Sequence, residues 1–201
     1  ITVDNGIACK TVCDYAKEKN IAIIITDHHQ PTKELPCEFV VDPQIQDYPV
    51  SNICGAFVAY KFISAFVELD EARKHELIEF ATIATVADVM PLVGENRTLV
   101  HKGLQYIKRS NNAGIRALLN ILRVDRKSIE ASTISFSLSP VINASGRMDS
   151  PMIAYNTFIT ENDGEASSLA KKLCSLNEER KKMQLEVVNA MQVDDSTDFI
   201  I

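Results

Sequence analysis

The sequence predicts an α/β fold: a parallel sheet at the N-terminal end, a mostly helical second half and a long C-terminal connecting helix. Three observations carry this reading. Short, continuous, β-branched apolar runs at residues 1–3 and 21–26 flank a helical segment, the pattern of a strand–helix–strand unit. From residue 55 onward the apolar spacing is helical almost throughout. The stretch 163–192 carries one apolar stripe among many charges, with neither Pro nor a central Gly to stop it.

The first strand, Ile1-Thr2-Val3, stops at Asp4-Asn5-Gly6. Residues 7–19 then place Ile7, Val12, Tyr15 and Ala16 roughly on one helical face, with Asn20 as a stop. Residues 21–26 read as a fully buried strand because they are short, apolar and β-branched. That strand ends in Asp27-His28-His29. A right-handed crossover puts both strand ends on one edge of the sheet, so Asp4 and the Asp27-His28-His29 cluster are expected to face each other. In open α/β sheets that edge is where ligands bind. Residues 30–49 hold four prolines and no periodicity, and read as loop around a short strand, Phe39-Val40-Val41.

Residues 55–69 form a helix rich in aromatics, with Phe57, Tyr60, Phe62 and Phe66 on or near one stripe that reads as core. Residues 72–87, 96–108, 113–122 and 128–138 follow as helices, broken by Ser110-Asn111-Asn112 and Val124-Asp125-Arg126, and 150–158 is a short one. The last helix starts at Asp163 or Gly164 and runs to Gln192. Leu169, Leu173, Leu176, Met183, Val187 and Met191 form its apolar stripe. About 28 residues at 1.5 Å each give a rod of roughly 42 Å, longer than one small domain needs. Such a helix bridges two bodies.

With 201 residues the chain can bury one sizeable domain plus extras. No run approaches the roughly 20 apolar residues of a membrane span. The five cysteines are odd in number and scattered, which reads as free thiols in a reducing cytoplasm; Cys9 and Cys13 are four apart, but no second pair accompanies them. A net charge of −6 argues mildly against broad nucleic-acid binding, although carboxylates at a metal centre are neutralised by the cations they hold. Residue 1 begins inside a strand, no initiator Met or signal segment is present, and Asp198-Phe199-Ile200-Ile201 reads as the start of another strand. The expectation is a fragment of a longer protein, with residues 1–160 as one domain lacking its N-terminal part, 163–192 as an interdomain helix and 193–201 as the start of a further domain.

Half of the four histidines sit in Asp27-His28-His29. An acid beside two imidazoles at a strand end is either a half-site for a transition metal or a polar turn. Asp4 at a second strand end shifts the balance toward metal. Asp88 is the only charged residue between Glu79 and Glu95. A lone carboxylate in an apolar run is costly to bury unless paired or ligating; the alternative is a turn or cap Asp before Pro91.

Val3-Asp4-Asn5-Gly6, Asp27-His28-His29 and the run from Ala84 through Asp88 to Leu92 stand in the order found in the DHH phosphoesterase superfamily, which this chain resembles. Gly94-Glu95-Asn96-Arg97 and Asn143-Ala144-Ser145-Gly146-Arg147-Met148 resemble its RecJ-like branch, the single-strand-specific 5′ to 3′ DNA exonucleases of repair and recombination. The resemblance implies a DHH catalytic domain, a two-metal site for Mn²⁺ or Mg²⁺ and phosphodiester hydrolysis. It gives Asp4, Asp27, His28, His29 and Asp88 catalytic roles: Asp4 as bridging carboxylate, His28 and Asp88 as further metal ligands, Asp27 orienting an imidazole, and His29 facing the substrate phosphate. Asn143 and Arg147, read as lying in a loop before a helix, are implied substrate contacts, since a guanidinium grips phosphate bidentately. Asn96 and Arg97 read as structural.

Two departures stand out. The family's upstream paired-aspartate motif is absent, so this piece alone is expected to be inactive, and Val141 stands where the family tends to carry a base. Single-stranded DNA is the implied partner, in the cytoplasm and without a membrane, with a single-strand-binding protein or helicase as possible partners of the parent protein. Two other readings stay open: a superfamily phosphoesterase acting on short oligonucleotides, cyclic dinucleotides or polyphosphate, and a non-catalytic replication scaffold.

Overall fold

The computed structural model describes residues 1–45 and 48–190. These fall into two compact units, one of residues 1–111 and 125–135, the other of residues 112–124 and 136 onward.

The first unit holds a three-stranded parallel sheet in the order β1 (Thr2–Val3), β2 (Ile24–Thr26), β3 (Phe39–Val41). Thr2 is level with Ile25, and Ile25 with Val40. Because all three strands run the same way, their carboxyl ends share one edge, and the residues that follow are Asp4, Asp27 and Asp42. The second strand is shorter than expected. Residues 21–23 lie outside it because the Ile21 N–H turns back to the Ala16 carbonyl at 2.9 Å and completes the end of the preceding helix.

Helix α1 (Lys10–Glu18) begins three residues later than the sequence suggests, capped at Cys9. Its inward face is also different. Ile7, Cys13 and Ala16 are buried, whereas Val12 and Tyr15, each about 100° round the helix from a buried neighbour, stay in solvent. Small side chains set this inward face.

Helix α2 (Gly55–Phe66) stops three residues early, where Val67 turns extended. Only part of its aromatic stripe is core: Phe57 is buried, Tyr60 packs partly against the cluster, and Phe66 is 73 % exposed. Helix α3 (Glu71–Ala87) starts at Asp70, whose carboxylate accepts the Arg73 N–H at 2.7 Å. Helix α4 (Gly94–Ile107) lies close against it. A Cβ on Gly103 would sit 1.8 Å from Thr82 Oγ1, so only glycine permits this approach. Ile53, Cys54, Phe57, Val58, Ala81 and Leu99 form the core of this region.

In the second unit, helix α5 (Ala113–Ile121) is capped by Asn112, which accepts the Ile115 N–H at 3.0 Å. Residues 125–135, with α6 (Ala131–Thr133), belong to the first unit, and a π-helical turn (Ile134–Leu138) leads into α7 (Ser139–Met148) of the second. The loop expected to carry Asn143 and Arg147 is therefore helix, and both sit on α7. Pro140 is accommodated in the first turn of α7, where its missing N–H costs little. Helix α8 (Met152–Ile159) follows.

Helix α9 (Asp163–Ala190) is the hub of this unit. Ala166, Ala170, Leu173, Leu176 and Asn177 are buried as it packs against α5, α7 and α8. Met183 and Val187, assigned to the same stripe from sequence, are exposed. Met191, Gln192 and the expected domain start at 193–201 lie outside the described residues. All five cysteines are free thiols. No helix among the described residues is long and apolar enough to cross a membrane.

One buried acid makes the first unit sensitive to pH. Glu79 is 4 % exposed, and Ser110 Oγ donates to its Oε2 at 2.6 Å. Burial outweighs that hydrogen bond and raises its carboxyl to about 7. Above the unfolded value the folded state holds the proton longer, so stability falls as pH rises from about 4.5 to about 7, by at most roughly 3 kcal/mol. Glu79→Gln, which keeps an acceptor for Ser110, should raise Tm at pH 8 by roughly 5–10 °C and leave it unchanged near pH 4.5. Thermal melts at the two pH values check this; equal shifts at both would remove ionisation as the cause.

Candidate metal centre at the sheet edge

Every strand of the sheet is followed directly by an aspartate, and the three acids behave differently. Asp27 is 1 % exposed. Its Oδ2 accepts the Ile7 N–H at 2.9 Å, and its Oδ1 accepts the His28 N–H at 2.8 Å and lies 2.7 Å from His29 Nδ1. Burial opposes its charge, but these hydrogen bonds prevail and hold its carboxyl below the usual carboxylate range. The bond to Asp27 in turn raises the His29 imidazole above its ordinary value. Asp27 thus fixes His29 with Nδ1 inward, leaving Nε2 for a partner.

Asp4 and His28 meet directly. His28 Nε2 lies 3.0 Å from Asp4 Oδ1 and 3.8 Å from Asp88 Oδ2. Ligand atoms of Asp4, His28 and His29 all fall within 4.8 Å of one another. Desolvation raises the Asp4 carboxyl; His28 works against that and the Asp88 carboxylate adds to it. Two carboxylates around one imidazole nitrogen fit a divalent cation, whose charge would relieve their repulsion.

The backbone is bent to make this cluster. Asp4 has φ 58°, and its N–H still donates to Thr26 O at 2.9 Å, so the strand ends with its side chain turned into the site. Asp88 caps the C-terminus of α3, and Val89 after it has φ 56°, a costly left-handed conformation for a β-branched residue. Asp88 is therefore not an N-cap; it is the acid of the turn that ends α3 before Pro91. The N-terminus of α2 presses on Asp4 from the other side, and a Cβ on Gly55 would lie 2.2 Å from Asp4 Oδ1.

Asp42, Gln44 and Gly55 escaped the sequence reading, whereas Asn96 has the structural role expected of it. Asp42, at the end of β3, is buried; its Oδ1 accepts the Gln44 N–H at 2.8 Å while its Oδ2 has no hydrogen-bond partner among the described residues. Burial raises its carboxyl. Gln44 Nε2 donates to the His28 carbonyl, so this turn braces the histidine backbone. The signal was available: Val41-Asp42 repeats the apolar-strand-then-Asp pattern of Val3-Asp4 and Thr26-Asp27. Gly55 carried no signal, because its role is only to leave room. Asn96, read as structural, is buried, and its Nδ2 donates to Asn52 O at 2.7 Å and Pro91 O at 3.0 Å. It ties the segment before Gly55 to the loop after Asp88. Asn143 and Arg147 belong to the second unit, both exposed on α7.

A parallel sheet with acids and imidazoles gathered at its carboxyl edge defines an α/β domain with a candidate metal site. Residues 1–88 match the family model described as DHH family, N-terminal domain. Over most of its length the chain is similar to single-stranded-DNA-specific exonuclease RecJ. It is 37 % identical over 187 residues to the Bacillus subtilis (strain 168) protein, covering 91 % of this chain and 23 % of that one. To the Escherichia coli (strain K12) protein it is 34 % identical over 210 residues, 96 % of this chain and 36 % of that one. The structure of RecJ in complex with Mn²⁺ from Thermus thermophilus superposes with a TM-score of 0.86 at 30 % identity, over 96 % of this chain and 30 % of that one. A crystal structure of exonuclease RecJ bound to manganese matches with a TM-score of 0.81 at 28 % identity, over 94 % and 49 % of the two chains. The chain spans about a quarter to a third of the curated relatives it matches.

Asp27→Asn should cost roughly 1.5–3 kcal/mol, the usual worth of hydrogen bonds to a charged group. It should also bring the His29 imidazole back toward its ordinary titration range, read by NMR. An unchanged His29 titration would show that Asp27 does not govern that ring.

Proposed function

We propose that this chain is part of a metal-dependent phosphodiester hydrolase of the RecJ type, a 5′ to 3′ exonuclease acting on single-stranded DNA. The carrying observation is His28 Nε2 set between the Asp4 and Asp88 carboxylates at a parallel-sheet edge, with His29 beside it held by Asp27. The likeness of the chain to RecJ proteins supports the substrate class.

In this reading Asp4, His28 and Asp88 hold a Mn²⁺ or Mg²⁺ ion. A bound divalent cation supplies charge for the phosphate oxygens and acidity for a water molecule. The chain's own residues do the rest. Asp27 keeps the His29 ring in one tautomer and orientation. His29, whose protonated ring the Asp27 carboxylate favours, faces the substrate phosphate and as an imidazolium donates a hydrogen bond from Nε2 to a non-bridging oxygen. Asp42 and Gln44 brace the backbone of His28, and Gly55 and Asn96 keep Asp4 and Asp88 at their stations. Asn143 and Arg147 on α7 take hold of a substrate phosphate, Arg147 through its planar fork. The far end of α9, residues 178–190, serves as the connector to a following domain.

Calorimetry with Mn²⁺ should show at most one weak site per chain. His28→Ala should abolish it, and Gly55→Ala should weaken it at least tenfold by displacing Asp4. Equal binding by all three proteins would remove this cluster as the metal site. In the full-length protein, Arg147→Ala should lower kcat/KM on single-stranded DNA by about ten- to a hundred-fold, the equivalent of roughly 1.5–3 kcal/mol. Excess Mn²⁺ should partly rescue Asp88→Asn and leave Arg147→Ala unrescued. Preference of the full-length protein for cyclic dinucleotides over DNA strands would overturn the substrate assignment.

A further inference from the structure

Phe136 is 83 % exposed. It lies in the π-helical turn Ile134–Leu138, between two serines, Ser135 and Ser137. Ile134 and Leu138 on either side are fully buried. A five-residue turn keeps both of these inward while swinging the ring between them out into water. π-turns inside α-helices are costly and cluster at functional sites. A small polar residue would satisfy this backbone as well as phenylalanine does, so the fold does not account for the ring. Phe136 makes no ring pair among the described residues.

The helix that carries Phe136 also carries Asn143 and Arg147, seven and eleven residues further on. All three are exposed while Ile134, Leu138, Val141, Ala144 and Ser145 are buried, so they share the solvent side of this helical segment. Arg147 has no ion-pair partner among the described residues. This side of the segment thus offers an unpaired guanidinium, an amide and, about 10–16 Å along the axis, an open aromatic face. An apolar protein partner would call for apolar residues beside the ring, and its chain neighbours are Ser135 and Ser137. A strand of single-stranded nucleic acid matches the whole set: phosphate for Arg147 and Asn143, and a base for the ring. Stacking is sequence-tolerant, because every base has a π-face.

We infer that Phe136 is a base-stacking platform that, together with Asn143 and Arg147, grips single-stranded DNA along the exposed side of this helix. This rests on the proposed function and adds a residue outside the metal centre that holds the strand.

The test uses the full-length protein and fluorescence anisotropy of a labelled oligonucleotide in EDTA, which separates binding from metal chemistry. Phe136→Ala should weaken binding roughly 5- to 150-fold, the range of one base–aromatic stack, and Phe136→Trp should restore it. Abasic substitutions walked along the strand should locate one nucleotide whose base matters. Removing that base should weaken wild-type binding by the same factor and leave Phe136→Ala unaffected. Wild-type affinity in Phe136→Ala, or a loss with no dependence on any single base, would overturn the inference while leaving the exonuclease reading intact. Failure of the wild-type protein to bind single-stranded DNA would overturn the functional reading itself.

Discussion

The buried carboxylate of Asp27 is what the sheet edge is organised around. It accepts hydrogen bonds from the loop after β1 through Ile7, from its own chain through His28, and from the His29 ring. A charge 1 % exposed survives only because these donors replace its water. The same bonds fix where β2 ends, which way His29 points and how closely the β1 loop approaches. The parallel register supplies the other half of the constraint, because strands running the same way must deliver Asp4, Asp27 and Asp42 to one edge.

Around that anchor the site is crowded with negative charge and bent backbone. Asp4 and Asp88 converge on one imidazole nitrogen, and left-handed conformations at Asp4 and Val89 aim them there. Such arrangements persist only when neighbours over-determine them. Here the neighbours are the start of α2, pressed against Asp4 at Gly55, and the Asn96 amide, which ties the two flanking loops together. A divalent cation would complement this charge.

Much of this was legible in the residues. The apolar runs ending in Asp4 and Asp27-His28-His29 gave two strands and their shared edge, since period and connection handedness are local properties. Other elements were misjudged for physical reasons. Val12 and Tyr15 match the spacing of a core face, yet α1 turns its small Cys13 and Ala16 inward instead. Phe66 belongs to an aromatic stripe by count, but α2 ends at it and leaves most of the ring in solvent. Asn143 and Arg147 read as loop residues before a helix, yet both lie on α7, which takes Pro140 into its first turn.

The sequence by itself determined the class of fold, the acids and imidazoles at the strand ends, and the long final helix, because each follows from short-range pattern and from residue chemistry. Only the tertiary structure decided which groups meet. Asp88 reaches His28 from sixty residues away because α3 stops where it does, Gly55 matters because a Cβ there would strike Asp4, and Phe136 is exposed because its neighbours at 134 and 138 are both claimed by the interior. These are consequences of close approach between distant segments, and close approach leaves no mark on local periodicity.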